Sequence, residues 1–264
     1  MLREIYKETE KLVEQTAQFI RSQIGNVENQ QIETKSLNSL VSYVDKTAEE
    51  ILVEGCMKIL PEAGFITEEE TIVKSMDKEW LWIIDPLDGT TNFLHSLPFF
   101  SISVALQHRG KTVIGVVCEV NRQEIFYAIK NEGAFLNGSK ISCSANKNLA
   151  DTLLATGFPY YDFGRREAYL SLLGELMPRC RGIRRLGSAA LDLAYTACGR
   201  FDAFFEYSLA PWDVAAGAFI VEEAGGIVCD FSGGDNYLFG KEMFASNPFI
   251  EKELLEILKS QFMV

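Results

Sequence analysis

The chain has 264 residues, 47% of them hydrophobic, which is enough for one large domain or two closely packed halves. Its 25 basic and 37 acidic residues leave a formal net charge of −12. That balance excludes a general nucleic-acid binder and a binder of anionic membranes, though a local cationic site such as a metal stays open.

Six cysteines, at 56, 118, 143, 180, 198 and 229, form no CxxC pair and accompany only two histidines, so they read as reduced structural thiols of a cytoplasmic protein. The opening stretch MLREIYKETEKLVEQTAQFI is charged throughout. It is not read as a signal peptide, and no apolar run is long enough to span a bilayer. Leu2, Ile5, Tyr6, Leu12, Val13, Phe19, Ile20 and Ile24 recur at helical spacing, and Gly25 and Asn26 stop the helix. A polar loop holding Lys35 follows. A second helix is expected from near Asp45, an N-cap by position, to about Pro61 and Gly64. Phe65 and Ile66 form a short apolar piece, and Glu68, Glu69 and Glu70 after it make either a solvated turn or a set of oxygen ligands.

Trp80 to Ile84 is a continuous apolar run, as in a strand covered on both faces, and it stops at Asp85. Pro86 biases Asp85 towards an extended conformation, and Gly89 permits a sharp turn, so that Asp85 and Asp88 can face one point. Gly89, Thr90, Thr91 and Asn92 suit a helix start, where free amides and the dipole attract an anion. Taken alone, DxxDG describes only a turn. Strands are expected over Ser101 to Gln107, Thr112 to Val120 and Glu124 to Ile129, continuing as an antiparallel meander through Phe135 to Gly138. His95 and His108 have no carboxylate pattern around them, which leaves a Ser/His/Asp triad or a zinc site poorly supported.

The second half alternates: strand at Leu153 to Thr156, helix at Arg165 to Met177, strand at Ile183 to Leu186, helix at Ala189 to Cys198, strand at Ala203 to Phe205. This favours a second, mixed sheet. The small residues Gly187, Ser188, Ala189 and Ala190 open a helix, which suits either an anion or tight packing. Asp213 stands just ahead of the apolar helical run in PWDVAAGAFIVEEAGGIV, a place that capping alone explains, and Gly225 and Gly226 end that run. Phe249 to Phe262 reads as a closing amphipathic helix.

The strings DPLDGTTNF after WII, FITEE with Glu68 as its first glutamate, and WDVAAG around Asp213 resemble, in order and across the whole length, the inositol monophosphatase family of magnesium-dependent, lithium-sensitive phosphatases. The family commonly has glycine where this chain has Thr67, which leaves Glu69 as the alternative ligand. The resemblance implies an α/β fold, a layered α/β/α/β/α sandwich of the sugar-phosphatase type. It also implies a single domain over 1–264, with a sheet half to about 145 and an α/β half from about 146. By resemblance, one magnesium takes Glu68, Asp85 and the carbonyl of Leu87, and a second takes Asp85, Asp88 and Asp213, with a third, weaker ion near Glu68. A metal-activated water oriented by Glu68 and Thr90 attacks phosphorus directly, and Asp45 holds Thr90.

The resemblance places substrate contacts at Lys35, Asp88, Gly89, Thr90, Ser188, Ala189, Glu206 and Asp213. It implies a small phosphorylated substrate, a homodimer, and no nucleic-acid or membrane partner. Inositol monophosphate or a similar polyol phosphate comes first among substrates. Fructose 1,6-bisphosphate, histidinol phosphate and 3′-phosphoadenosine nucleotides share the scaffold, but the base-stacking and extra phosphate contacts a nucleotidase needs are not visible in the sequence. The alternative of another class is a catalytically silent, metal-binding regulatory protein.

Overall fold

The computed structural model describes residues 1–36, 39–160 and 162–262. Helix α1 (Leu2–Ser22) buries the stripe Ile5, Leu12, Val13, Ala17 and Ile20 that its periodicity predicts. The segment expected as a polar loop is instead a two-stranded antiparallel ribbon, β1 (Ile32–Ser36) and β2 (Ser39–Ser42). Its strands are short and mostly polar, IETKS and SLVS, so no alternating pattern advertises them. Helix α2 (Tyr43–Ile59) starts two residues before Asp45. Ser42 is its N-cap and Asp45 is the third residue of a capping box, so Asp45 caps from inside the first turn.

A seven-stranded sheet follows, in the order β3 (Gly64–Thr67), β4 (Trp80–Asp88), β5 (Ser101–His108), β6 (Lys111–Glu119), β7 (Glu124–Ile129), β8 (Gly133–Leu136) and β9 (Ser139–Ile141). Only β3 and β4 run parallel. The short helix α3 (Thr90–Leu94) sits between β4 and β5. The five-stranded sheet is built from β10 (Leu153–Thr156), β11 (Gly182–Arg184), β12 (Ala203–Tyr207), β13 (Ile227–Cys229) and β14 (Glu242–Ser246), in the order β11-β10-β12-β14-β13. It is mixed: β10 is parallel to β11 and β12, whereas β14 runs antiparallel to β12 and β13. Helices α4 (Arg166–Leu176), α5 (Ala189–Ala197), α6 (Pro211–Glu223) and α7 (Glu251–Phe262) complete the chain.

Alternate residues of β4 feed different cores, as a strand covered on both faces must. Trp82 and Ile84 join α1 and α2 in one core, while Leu81 and Ile83 join α5 and α6 in a second. The second core continues to the near face of the smaller sheet, whose far face packs on α4 and α7 in a third. The result is the α/β/α/β/α layering.

Helices α5 and α6 lie between two sheets, which is why both are apolar nearly all round rather than striped. Their small residues are there for close approach: a Cβ on Gly115 of β6 would stand 2.8 Å from the Ala216 carbonyl, and one on Gly217 would stand 2.6 Å from Leu193 Cβ. Among the described residues, no helix is long and apolar enough to cross a membrane.

Candidate active site

The site begins with an irregularity in β4. Asp85 pairs with Ser103 and Asp88 with Ser101, so three residue steps on β4 oppose two on β5. In a regular strand, residues three apart point to opposite faces; the extra residue of this bulge restores them to one face. Pro86, which has no amide to lose from the ladder, occupies it. The strand therefore runs on to Asp88 instead of stopping at Asp85. Both carboxylates turn towards the layer of α5 and α6.

Asp213, in the first turn of α6, completes the group: Asp85, Asp88 and Asp213 each offer an oxygen within 4.8 Å of the others. Each is also held by the backbone or a helix start. Asp85 Oδ1 accepts from the Leu87 amide at 2.9 Å, and Asp213 Oδ2 accepts from the Ala210 amide at 2.6 Å. Asp88 Oδ2 accepts from the Ser188 hydroxyl at 2.7 Å and the Ala190 amide at 2.8 Å. The start of α5 thus holds an anion, but that anion is the side chain of Asp88.

Burial, followed by the charges of Glu68, Asp88 and Asp213, raises the Asp85 carboxyl well above its usual range. Burial also raises Asp213, with the charges of Asp88 and Glu68 adding to it. Asp88 is pushed up to about 7, chiefly by burial and against its bonds from Ser188 and Ala190. Glu68 belongs to the same group, since it hydrogen-bonds Asp85 and acts by charge on all three aspartates. Among the described residues, none of the three aspartates is paired with a lysine, arginine or histidine.

Converging hard oxygens that repel one another out of water need a cation between them. This donor set of carboxylates fits magnesium or another hard divalent ion, and has no nitrogen or sulfur to favour zinc.

The loop carrying Glu68 is fixed from α2. Glu49, fully buried four residues after Asp45, accepts from the Glu69 amide at 2.7 Å, the Thr71 amide at 2.8 Å and the Thr71 hydroxyl at 2.7 Å. Sequence reasoning missed Glu49; its only signal was the i+4 spacing that puts it on the helix face of Asp45. Thr67, in the family's glycine place, ends β3 without a left-handed backbone, so the departure carries no strain. Asp45 accepts from the Thr90 hydroxyl at 2.8 Å, and that hydroxyl also lies 3.1 Å from the Leu87 carbonyl. Gly89 precedes Thr90 at φ +99°, and a Cβ there would stand 3.1 Å from the Gly187 carbonyl.

On the other side of the aspartates, a cleft is lined by Asp88, Ser188, Ala189, Glu206 and Asp213, with Arg185 at its mouth. Burial and the nearby Asp213 charge raise the Glu206 carboxyl. The side chain of Lys35 lies outside the described residues.

A profile of the inositol monophosphatase family matches residues 1–262. The chain belongs to that family. The Nus factor SuhB of Escherichia coli K12 is 44% identical over 227 residues, 86% of this chain and 85% of that protein. The inositol-1-monophosphatase of Rhizobium meliloti is 44% identical over 235 residues, 89% of this chain and 88% of that one. Among solved structures, the Thermotoga maritima IMPase superposes with a TM-score of 0.89 at 36% identity, covering 100% of this chain and 99% of its own. Another, described as an IMPase/NADP phosphatase complexed with Mg2+ and phosphate, matches at 0.85 and 25% identity, covering 97% and 95%. The layered sandwich is the family's fold, and the acidic group lies in a metal-dependent family.

Proposed function

We propose that the protein is a magnesium-dependent phosphomonoesterase that hydrolyses a small polyol phosphate, inositol monophosphate first among them, to the alcohol and inorganic phosphate. The observation that carries this reading is the set of three aspartate oxygens within 4.8 Å, joined by Glu68, beside a strand-to-helix corner. Magnesium held there would neutralise the phosphoryl oxygens and acidify a coordinated water, which phosphate monoesters, among the slowest of reactants in water, require.

The chain's residues do the rest by position. Asp85, Asp88, Asp213, Glu68 and the Leu87 carbonyl supply the oxygens that hold ions. Glu68 and the Thr90 hydroxyl orient the attacking water, and Asp45, bonded to Thr90 at 2.8 Å, fixes the hydroxyl's direction. The amides of Gly89 and Thr90 hold phosphate oxygens. Attack is direct, with no covalent enzyme intermediate. Asp88, Ser188, Ala189 and Glu206 face the alcohol portion. Phosphate release from inositol 1-phosphate, fructose 1,6-bisphosphate, histidinol phosphate and a 3′-phosphoadenosine nucleotide, each with magnesium and with a chelator, tests both chemistry and substrate. Release only with the metal, fastest on inositol 1-phosphate, is the expected result.

Glu206 gives a second test through its neighbour. A Cβ on Gly157 would stand 1.9 Å from Glu206 Oε2, so Gly157→Ala expels the carboxylate from its place. KM for the polyol phosphate is expected to rise about tenfold or more, the scale of a lost hydrogen bond to a charged group, with kcat changed much less. An unchanged KM would remove Glu206 from the substrate site.

The name Nus factor SuhB, carried by a relative at 44% identity, favours one second reading: a regulatory protein that binds metal without turning over substrate. Magnesium binding with no release from any of the four esters would put that reading ahead.

A further inference from the structure

The reading of the cleft as a phosphatase site leaves one group unused. Arg185 is exposed at the cleft's mouth, and its guanidinium is held in place from two sides. It lies 5.6 Å from the centre of the Phe158 ring and 5.9 Å from that of Tyr160, and Nη2 reaches the Tyr160 hydroxyl at 3.5 Å. On its other side it folds back over Gly187, where a Cβ would stand 2.7 Å from Nη1 and the backbone φ is +92°.

Phe158 and Tyr160 are themselves 46% and 38% exposed, far more than aromatic side chains serving only a core. An arginine whose sole purpose was to offset the acids below it would close an ion pair with one of them. Among the described residues Arg185 makes none, although the cleft it overhangs is lined by Asp88, Glu206 and Asp213. A guanidinium presents five donors in a flat fork, and among the described residues Arg185 spends one of them, on the Tyr160 hydroxyl, which leaves the others for a planar or tetrahedral anion. The acidic walls beneath would repel a second negative group on a substrate. A cation at the mouth removes that penalty at the point where the far end of a bound ester emerges.

Resting on the phosphatase reading, we propose that Arg185, seated on Phe158 and Tyr160, is a specificity-determining residue that receives a second anionic group of the substrate. Phosphate esters bearing another phosphate or a carboxylate are then substrates of the same cleft.

The test compares kcat/KM for fructose 1,6-bisphosphate and 3-phosphoglycerate with that for inositol 1-phosphate, in the wild type, Arg185→Met and Arg185→Lys. The ratio for the esters that carry a second anionic group over inositol 1-phosphate, whose scissile phosphate is its only charge, is expected to fall about 10- to 100-fold in Arg185→Met, through KM, and to recover in part in Arg185→Lys, which keeps the charge without the fork. A loss with the bisphosphate alone assigns the group to phosphate, and one with both assigns it to anions generally. A ratio within twofold of wild type overturns the proposal, whether both activities fall, as they would if Arg185 only balanced charge or touched the scissile phosphate, or neither does. So does a wild type that hydrolyses inositol 1-phosphate and neither ester with a second anionic group. A wild type that releases phosphate from no ester overturns the phosphatase reading and this proposal with it.

Discussion

Asp213→Asn is expected to cut magnesium-dependent phosphate release by at least about a hundredfold, on the scale of losing one charge-stabilising group at a reacting centre. It is also expected to raise the melting temperature of the metal-free protein. The two effects have one cause. Asparagine keeps an oxygen that can accept from the Ala210 amide, the bond Asp213 makes at 2.6 Å, so the start of α6 survives. What it removes is one negative charge from a group in which burial and the charges of Asp88 and Glu68 already hold the Asp213 carboxyl well above its usual range. A raised carboxyl says that repulsion and desolvation outweigh the cap and the helix dipole. Each kcal/mol of relief is worth roughly 2 to 4 °C in a domain of this size. Initial rates at saturating magnesium and melting curves in chelator, run on one preparation, check both halves. Near-normal turnover, or a metal-free variant that melts several degrees below wild type, would remove Asp213 from the metal site.

Stabilisation by magnesium is expected to grow with pH. Asp85, Asp88 and Asp213 all have folded-state pKa values raised above those of the unfolded chain, Asp88 to about 7. Groups shifted in this direction contribute stability that is fully present below the unfolded value and is lost as pH rises through the folded one. For Asp88, that window runs from about pH 4 to about 7. The metal-free protein therefore weakens across it. Magnesium binds the deprotonated form and so must displace more protons at the acid end than at the alkaline end. The melting-temperature difference between magnesium and chelator should be clearly larger at pH 8 than at pH 5.5. A difference independent of pH would mean that the ion binds elsewhere.

The parts of this site that were legible in the sequence are those fixed by local covalent order. The apolar run before Asp85, the proline and glycine around Asp88, and the small residues opening α5 constrain the backbone within a few residues, and the folded chain places them at one corner. Helices with a striped face were equally readable. What escaped was set by partners distant in the chain. Strand β14 lies between β12 and β13, yet its sequence EMFAS has too short an apolar run to announce a strand that tertiary pairing creates. Glu49 carries the charge of a solvated helix residue and is fully buried because the loop at 69–71 closes over it. Arg185 gave no sign of its aromatic seat, since Phe158 and Tyr160 arrive from a loop more than twenty residues earlier.

The extra residue in β4 sets the curvature of the first motif. Deleting Pro86 or Leu87 would return the strand to regular pairing, in which carboxylates two residues apart still share a face, but would take away the bend and added twist that a bulge gives its strand. The second carboxylate would then approach Ser188 and Ala190, which grip it now, from a different angle. The chain can thus alter the identity of the two intervening residues more freely than their number.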